Sequence, residues 1–254
     1  MKKLNRKTKK KLSIIVITNI SIMMGIYFGL LYPDSKGAKA ETKSEEKSTH
    51  IKRTDAIQLD VPLEKQFASP ELGNGCEVTA LSMLLNYYDY ETDKNQLADL
   101  LSYVPVTLDN GLKGSPKEGF VGDIWGGDNA MGADVEPIAD VAEKMVNEQF
   151  SVVMSRETSL DSLLDLLKNG TPIWVKVTLD FVRPTEADFR YWDTTSGQVK
   201  VSPINHASVI TGYNEDSIFV NDPYGYKDRE ISREDFEFIF EEMGSQSLYL
   251  AAKK

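Results

Sequence analysis

Residues 13–32, SIIVITNISIMMGIYFGLLY, run for twenty positions without a charged side chain, directly after the basic block MKKLNRKTKKKL. That length suits a helix that crosses a bilayer. The lysines in front of it predict that the basic end stays in the cytoplasm and that everything after it is exported. The stretch therefore removes the first forty residues from any globular core. GAKA ends at Ala40 in an A-x-A pattern that fits signal-peptidase cleavage. The apolar run is long for a signal peptide, so two readings stand: a leader removed after Ala40, or a retained membrane anchor. Both place the remainder outside the cell or at the outer face of the cytoplasmic membrane or cell wall.

Residues 41–56 open with ETKSEEKSTHIKRT, which has no aromatic residue and nothing to bury. They read as a flexible polar linker, with His50 a solvated member of it. From residue 57 to 254 there is no second linker, repeat or low-complexity tract, so the expectation is one domain of about two hundred residues. With 41% hydrophobic and 9% aromatic residues the chain can form one sizeable core. The first 40 residues hold nine of the 29 Lys and Arg and one of the 39 Asp and Glu, so the remainder carries a net charge of −18. Such a surface repels polyanions and argues against nucleic-acid binding.

The chain has one cysteine, Cys76. No intramolecular disulfide can form, so an exported domain must stand on its core alone. A lone thiol outside the cell is also open to oxidation, and its presence asks for a chemical reason.

Periodicity predicts an α+β fold with helices first and sheet second. IQLDVPLEKQF (57–67) reads as an opening strand and SPELGNG as a turn. After Cys76, Val78, Leu81, Leu84, Leu85 and Tyr88 recur at helical spacing. A second helix is expected over 93–104 with Asp93 as its N-cap, and another over 136–149 with Pro137 in its first turn. The glycine-rich stretch 108–135 reads as a long surface loop. A short helix over 158–170 ends at Gly170. PIWVKVTLDFV (172–182) is the strongest strand, with Trp174 expected in the core. A hairpin spans 206–225, followed by a helix over 232–243 and a strand SLYLAA.

Four residues carry the candidate chemistry. Cys76 sits where Gly73-Asn74-Gly75 feeds a helix, and the free N–H groups and dipole at a helix start favour a thiolate. Outside the linker the domain has a single histidine, His206, at the start of an apolar strand. A thiol nucleophile needs a base of that kind to take its proton and hand it to the leaving group. If the hairpin turns near Asn214–Glu215, Asp222 of NDPYG lies close to His206 and can fix the imidazole tautomer. Gln66, ten residues before the cysteine, supplies a side-chain amide for an oxyanion. Asn74, Gly75 and Trp125 are candidate substrate contacts. A structural alternative exists for each residue taken alone: a buried inert thiol, a hydrogen-bonded strand-end histidine, a turn aspartate, a solvated glutamine, a loop-anchoring tryptophan.

The order Gln, Cys, His, Asp is that of papain-like cysteine peptidases. VPLEKQF…NGCEVTALSMLLNYY, GFVGDIWGG and INHASVITGYNEDSIFVNDPYG together resemble the bacteriocin-processing (double-glycine) peptidase family thirty-nine, in its stand-alone exported peptidase-like branch. The resemblance covers nearly all of 58–254. It implies a papain-like fold, a helical lobe (about 68–150) packed on an antiparallel sheet lobe (about 171–254), and a cleft between them. It further implies Cys76 as nucleophile, His206 as general base and acid, Asp222 as the orienting acid and Gln66 as oxyanion donor. The transporter-fused members of that family act in the cytoplasm; this chain has no P-loop, so their double-glycine substrate does not carry over.

The expected activity is hydrolysis of an amide bond in a peptide or protein through a Cys76 acyl-enzyme, with no cofactor and no metal. DNAMGADVE (128–136) lacks the spacing of a calcium loop, and one His with one Cys is too few for zinc. Ser208 reads as strand lining rather than a nucleophile. A cell-wall amide hydrolase or acyltransferase uses the same intermediate, and a surface binding module of the same fold without turnover also stays open.

Overall fold

The computed structural model describes residues 55–253, so the apolar run 13–32 and the linker through Thr54 lie outside the described residues. Among the described residues no helix is long and apolar enough to cross a membrane.

The centre is a seven-stranded sheet made from β5 (Phe150–Ser155), β6 (Ile173–Thr178), β9 (Asn205–Tyr213), β10 (Ser217–Asp222), β11 (Tyr226–Ser232), β12 (Ser247–Ala252) and the short β1 (Ile57–Gln58). The order is β11-β10-β9-β6-β12-β5, with β1 paired to the end of β9, and every pairing is antiparallel. Successive side chains on a strand point to opposite faces. Trp174, Ala207, Val209, Leu248 and Leu250 therefore fill one face, while Ile173, Val175, Val177, Ile210, Ile218 and Val220 fill the other.

The first face is covered by α1 (Cys76–Tyr87) and α3 (Val135–Met145), with α2 (Lys94–Leu100) against α1. Every residue of α1 from Cys76 to Leu85 is buried, so it is a central helix wrapped by apolar neighbours rather than a surface one. The Trp174 indole N–H donates to the Glu77 carbonyl at 3.0 Å and ties the start of α1 to the middle of β6. Asp93 caps α2 through the N–H groups of Asn95 and Gln96, and Gln96 accepts from the Asp93 N–H in return. The second face is covered by α4 (Leu160–Leu167) and α5 (Arg233–Glu242). The expected division into a helical and a sheet lobe is thus half of the picture: helices lie on both faces of the sheet, and β5 belongs to it although it precedes residue 171.

Further expectations change. The opening strand over 57–67 contracts to Ile57–Gln58, with one more backbone bond from the Leu59 N–H to the Thr211 carbonyl of β9 at 2.8 Å before the chain leaves the sheet. The helix expected over 93–104 ends at Leu100, and β2 (Tyr103–Val104) follows; it forms a small sheet with β3 (Phe120–Gly122) and β4 (Ala130–Gly132) of the glycine-rich segment, β2 parallel and β4 antiparallel to β3. Its close approach to the rest depends on glycine. Gly132 has φ +71°, and a Cβ there would collide with the Glu77 carboxylate. The hairpin β7 (Arg190–Thr194)–β8 (Gly197–Val201) stands as a separate two-stranded sheet.

Candidate active site

Six separated stretches of chain meet at the N-terminal ends of α1 and β9. A cleft of about 80 Å3 there is lined by Gln66, Gly73, Asn74, Cys76, Glu77, Ala130, Gly132, Leu179, Pro203, Asn205, His206 and Tyr224. Cys76, Gln66 and His206, which the sequence scatters over 140 positions, share this one space.

Asp222 stands behind the histidine. His206 Nε2 lies 2.8 Å from Asp222 Oδ1, and both side chains are 1% exposed. An ionised carboxylate only accepts, so Nε2 carries the hydrogen and Nδ1 of the neutral ring presents its lone pair. Nδ1 is buried without a partner among the described residues. The juxtaposition follows from β9–β10 pairing (Asn221 opposite Val209, Val220 opposite Ile210), with register irregularities on both sides of Val220 that re-aim the end of β10. Asp222 is held further by the Tyr224 N–H at 3.0 Å and by Arg229 Nη1 at 2.8 Å. Burial pushes its pKa up, but the His206 and Arg229 bonds outweigh that and hold the carboxyl below the usual range. The Tyr224 ring stands edge-on to the imidazole, 4.9 Å between centroids, and Phe67 packs on Tyr224 at 5.1 Å.

Cys76 is the first residue of α1, with Gly75 as N-cap. The thiolate expected from the helix terminus is overturned. Burial first, and then the neighbouring Glu77 carboxylate, push the thiol well above its ordinary value; the Ala207 N–H and Lys176 act the other way and lose. The magnitudes decide this. A helix terminus contributes about 0.3–1 kcal/mol, under one unit of pKa, whereas full burial shifts a group by up to about 3–5 units. The thiol is a donor in this state: Sγ lies 3.2 Å from Glu77 Oε2.

Gln66 is buried, its position set by its own N–H to the Pro223 carbonyl at 2.8 Å. Its amide nitrogen gives one hydrogen to the Gly73 carbonyl at 2.8 Å, which leaves the second N–H for the cleft. Oε1 is buried without a partner among the described residues. Asn74 lines the cleft but spends its amide on the carbonyls of Asp123 and Gly127, and so pins the 123–127 loop.

Gly75 and Trp125 depart from their expected role as substrate contacts. Neither lines the cleft. A Cβ on Gly75 would stand 2.6 Å from Leu72 Cβ, so its glycine serves the packing under the helix start. Trp125 projects outward, 56% exposed, and it is its backbone carbonyl that accepts from the Gly73 N–H. Ser208 is fully buried in β9, as a lining residue would be.

Glu77, Asn205, Tyr224 and Arg229 belong to the site and were not singled out from the sequence. Glu77 follows the cysteine directly and is the one acid in the buried part of α1, a signal that could have marked it. Among the described residues no cluster of three or more His, Cys, Asp or Glu side chains could hold a metal ion.

Comparison with known proteins gives the family and the fold. The model of a family described as Peptidase_C39 like matches residues 58–248. The Bacillus subtilis (strain 168) protein YvpB is 36% identical over 211 residues, 83% of this chain and 82% of that protein. A crystal structure described as a C39-like peptidase from Bacillus anthracis superposes with a TM-score of 0.73 at 32% identity, covering 79% of this chain and 99% of the other.

Proposed function

This chain belongs to the Peptidase_C39 like family, and we propose that it is an exported cysteine peptidase of papain-like fold that hydrolyses a peptide amide bond through a Cys76 acyl-enzyme. The observation that carries the reading is the buried His206–Asp222 pair, which leaves Nδ1 as a free acceptor in the cleft that also holds the only thiol. Export rests on the basic block and uncharged run of the first 32 residues.

In the proposed cycle the thiol turns from Glu77 and passes its proton to His206 Nδ1 as Sγ attacks the substrate carbonyl carbon. The C=O electron pair moves to oxygen. The second N–H of Gln66 and the backbone N–H of Cys76, which has no partner within the helix, are the donors for that oxyanion. The tetrahedral intermediate collapses by breaking the C–N bond, the nitrogen takes the proton from Nδ1, and a thioester remains on Sγ. Water then adds to the thioester, giving one proton to Nδ1. The C–S bond breaks, the acid leaves, and Nδ1 returns the proton to sulfur. Asp222 keeps the ring oriented with Nε2–H bonded and stabilises the imidazolium between the two transfers. A raised thiol pKa fits this scheme, because the thiol is deprotonated within the reaction rather than stored as thiolate.

The test is the full chain and its Cys76→Ala variant against a peptide mixture and purified peptidoglycan, with products read by mass spectrometry. Products from the parent alone support the reading and name the bond. Equal products from both remove Cys76 from the chemistry.

A further inference from the structure

Glu77 is 1% exposed, and among the described residues no Lys, Arg or His nitrogen lies within ion-pair distance of it. Its two oxygens receive only neutral donors: the Ala133 N–H at 3.0 Å on Oε1, and the Cys76 thiol on Oε2. A buried carboxylate without a cation is costly, and proteins ordinarily pair such groups. A few residues away the same protein does so, with Lys176 and Arg156 both on Asp134. The cleft that Glu77 lines is rich in other unused acceptors. Gln66 Oε1, Asn205 Oδ1 and His206 Nδ1 are each buried without a partner among the described residues. Asn205 Oδ1 and Glu77 Oε1 are neighbours that both pack on Gly132, where an added Cβ would overlap them. No cationic side chain lines the cleft.

We infer that Glu77, with Asn205 beside it, is the receptor for an ammonium group of the substrate, so that the amide bond cleaved belongs to a residue bearing a free amine. The chemistry is complementary: a small concave space, a carboxyl group and several lone pairs, with Lys176 turned to Asp134 and the Ala133 carbonyl. The net charge of −18 on residues 41–254 adds long-range attraction for cations. Occupancy has a second consequence. An ammonium on Glu77 takes the thiol's acceptor, which frees Sγ to turn toward Nδ1. Recognition of the amine and release of the nucleophile are then one event. The inference rests on the peptidase reading only for the bond that breaks.

Because Cys76 is the only cysteine, its alkylation by iodoacetamide reads the site directly in the full chain. The probes are glycinamide, which carries an α-ammonium, Nα-acetyl-lysinamide, which carries a side-chain ammonium, and N-acetylglycinamide, which carries none. An amine that fits is expected to accelerate alkylation saturably by about tenfold or more, since an opposite charge within a few ångströms moves a pKa by about 1–3 units. The neutral probe is expected to do nothing. The amine that works tells a peptide N-terminus from a lysine-like side chain. Glu77→Gln keeps an acceptor for the Ala133 N–H and is expected to abolish the acceleration. Equal effects of amine and acetylated probes, no saturable acceleration by either amine, or full acceleration in Glu77→Gln each overturn the inference. The parent measurements decide it even if the variant does not fold. Amine-dependent alkylation without peptide turnover by the parent would overturn the peptidase reading and leave the ammonium site standing. Turnover with equal rates on free and acetylated peptides would do the reverse.

Discussion

Two buried polar clusters flank the start of α3, and they are built on opposite terms. Around Asp134 every strong group is answered. Oδ1 accepts from Lys176 Nζ at 2.6 Å and Gln246 Nε2 at 3.2 Å, and Oδ2 accepts from Arg156 at 2.7 Å. Arg156 also binds both oxygens of Glu136, and Gln246 accepts from the Val135 N–H and donates to the Met243 carbonyl. Around Cys76 the reverse holds: Gln66 Oε1, Asn205 Oδ1 and His206 Nδ1 lack partners among the described residues, and Glu77 lacks a cation. Buried polar groups are normally satisfied, and local violations concentrate where a protein works. The first cluster fixes α3 against β6; the second leaves its acceptors open toward the cleft.

That contrast can be broken by mutation, with effects of declining size. Cys76→Ala is expected to reduce peptide turnover by about 10⁴-fold or more, as loss of a nucleophile does in catalytic units of this kind. Asp222→Asn, which disturbs the Nε2–H tautomer, is expected to cost up to about 10⁴-fold in kcat. Gln66→Ala is expected to cost about 10²–10³-fold in kcat, the size of one oxyanion donor. All three are steady-state measurements on folded protein.

The Asp134 cluster should answer to a different instrument. Asp134→Ala leaves Lys176 buried and uncompensated, which is expected to cost about 3–5 kcal/mol in denaturant unfolding while turnover per folded molecule stays nearly constant. An Asp134→Ala protein of parental stability would dissolve the distinction between the clusters.

Acid sharpens it further. At Asp134 burial raises the pKa, but Lys176 and Arg156 win and hold it far below the carboxylate range; Asp222 is lowered as well. A folded-state value below the unfolded one contributes stability that is complete above about pH 4 and is lost as the pH falls through the folded values. The unfolding midpoint should therefore decline on acidification below about pH 4, and less steeply in Asp134→Asn. A midpoint flat down to pH 2 would contradict both assignments.

The smallest effect belongs to Trp125→Ala. With its ring out of the cleft and more than half exposed, stability should move by no more than about 0.5 kcal/mol.

The catalytic candidates were legible because they are scarce. One cysteine and one histidine outside the linker leave little choice of partners, and hairpin arithmetic alone put Asp222 near His206. Gln66 stood out as a side-chain amide ten residues before the cysteine, and the family resemblance gave it the same role. The rest was hidden for physical reasons. Glu77 occupies the first turn of a helix, where an acid is ordinary dipole chemistry, so its burial in a cleft is visible only once β4 is laid over it. The thiol's high pKa arises from tertiary burial, which no local signal encodes. Arg229 lies on β11, whose polar sequence YKDREIS reads as turn and surface. The small sheet of β2, β3 and β4 has strands of two or three residues, too short for alternation to register.

In the proposed cycle the sulfur of Cys76 carries the acyl group between the two halves of the reaction. Intact-mass spectrometry of the full chain, quenched in acid during turnover of a cleaved peptide, tests it directly. An adduct on Cys76 with the mass of the acyl fragment is expected, chased by further incubation and absent from Cys76→Ala and His206→Ala. Steady turnover by Cys76→Ala would contradict it.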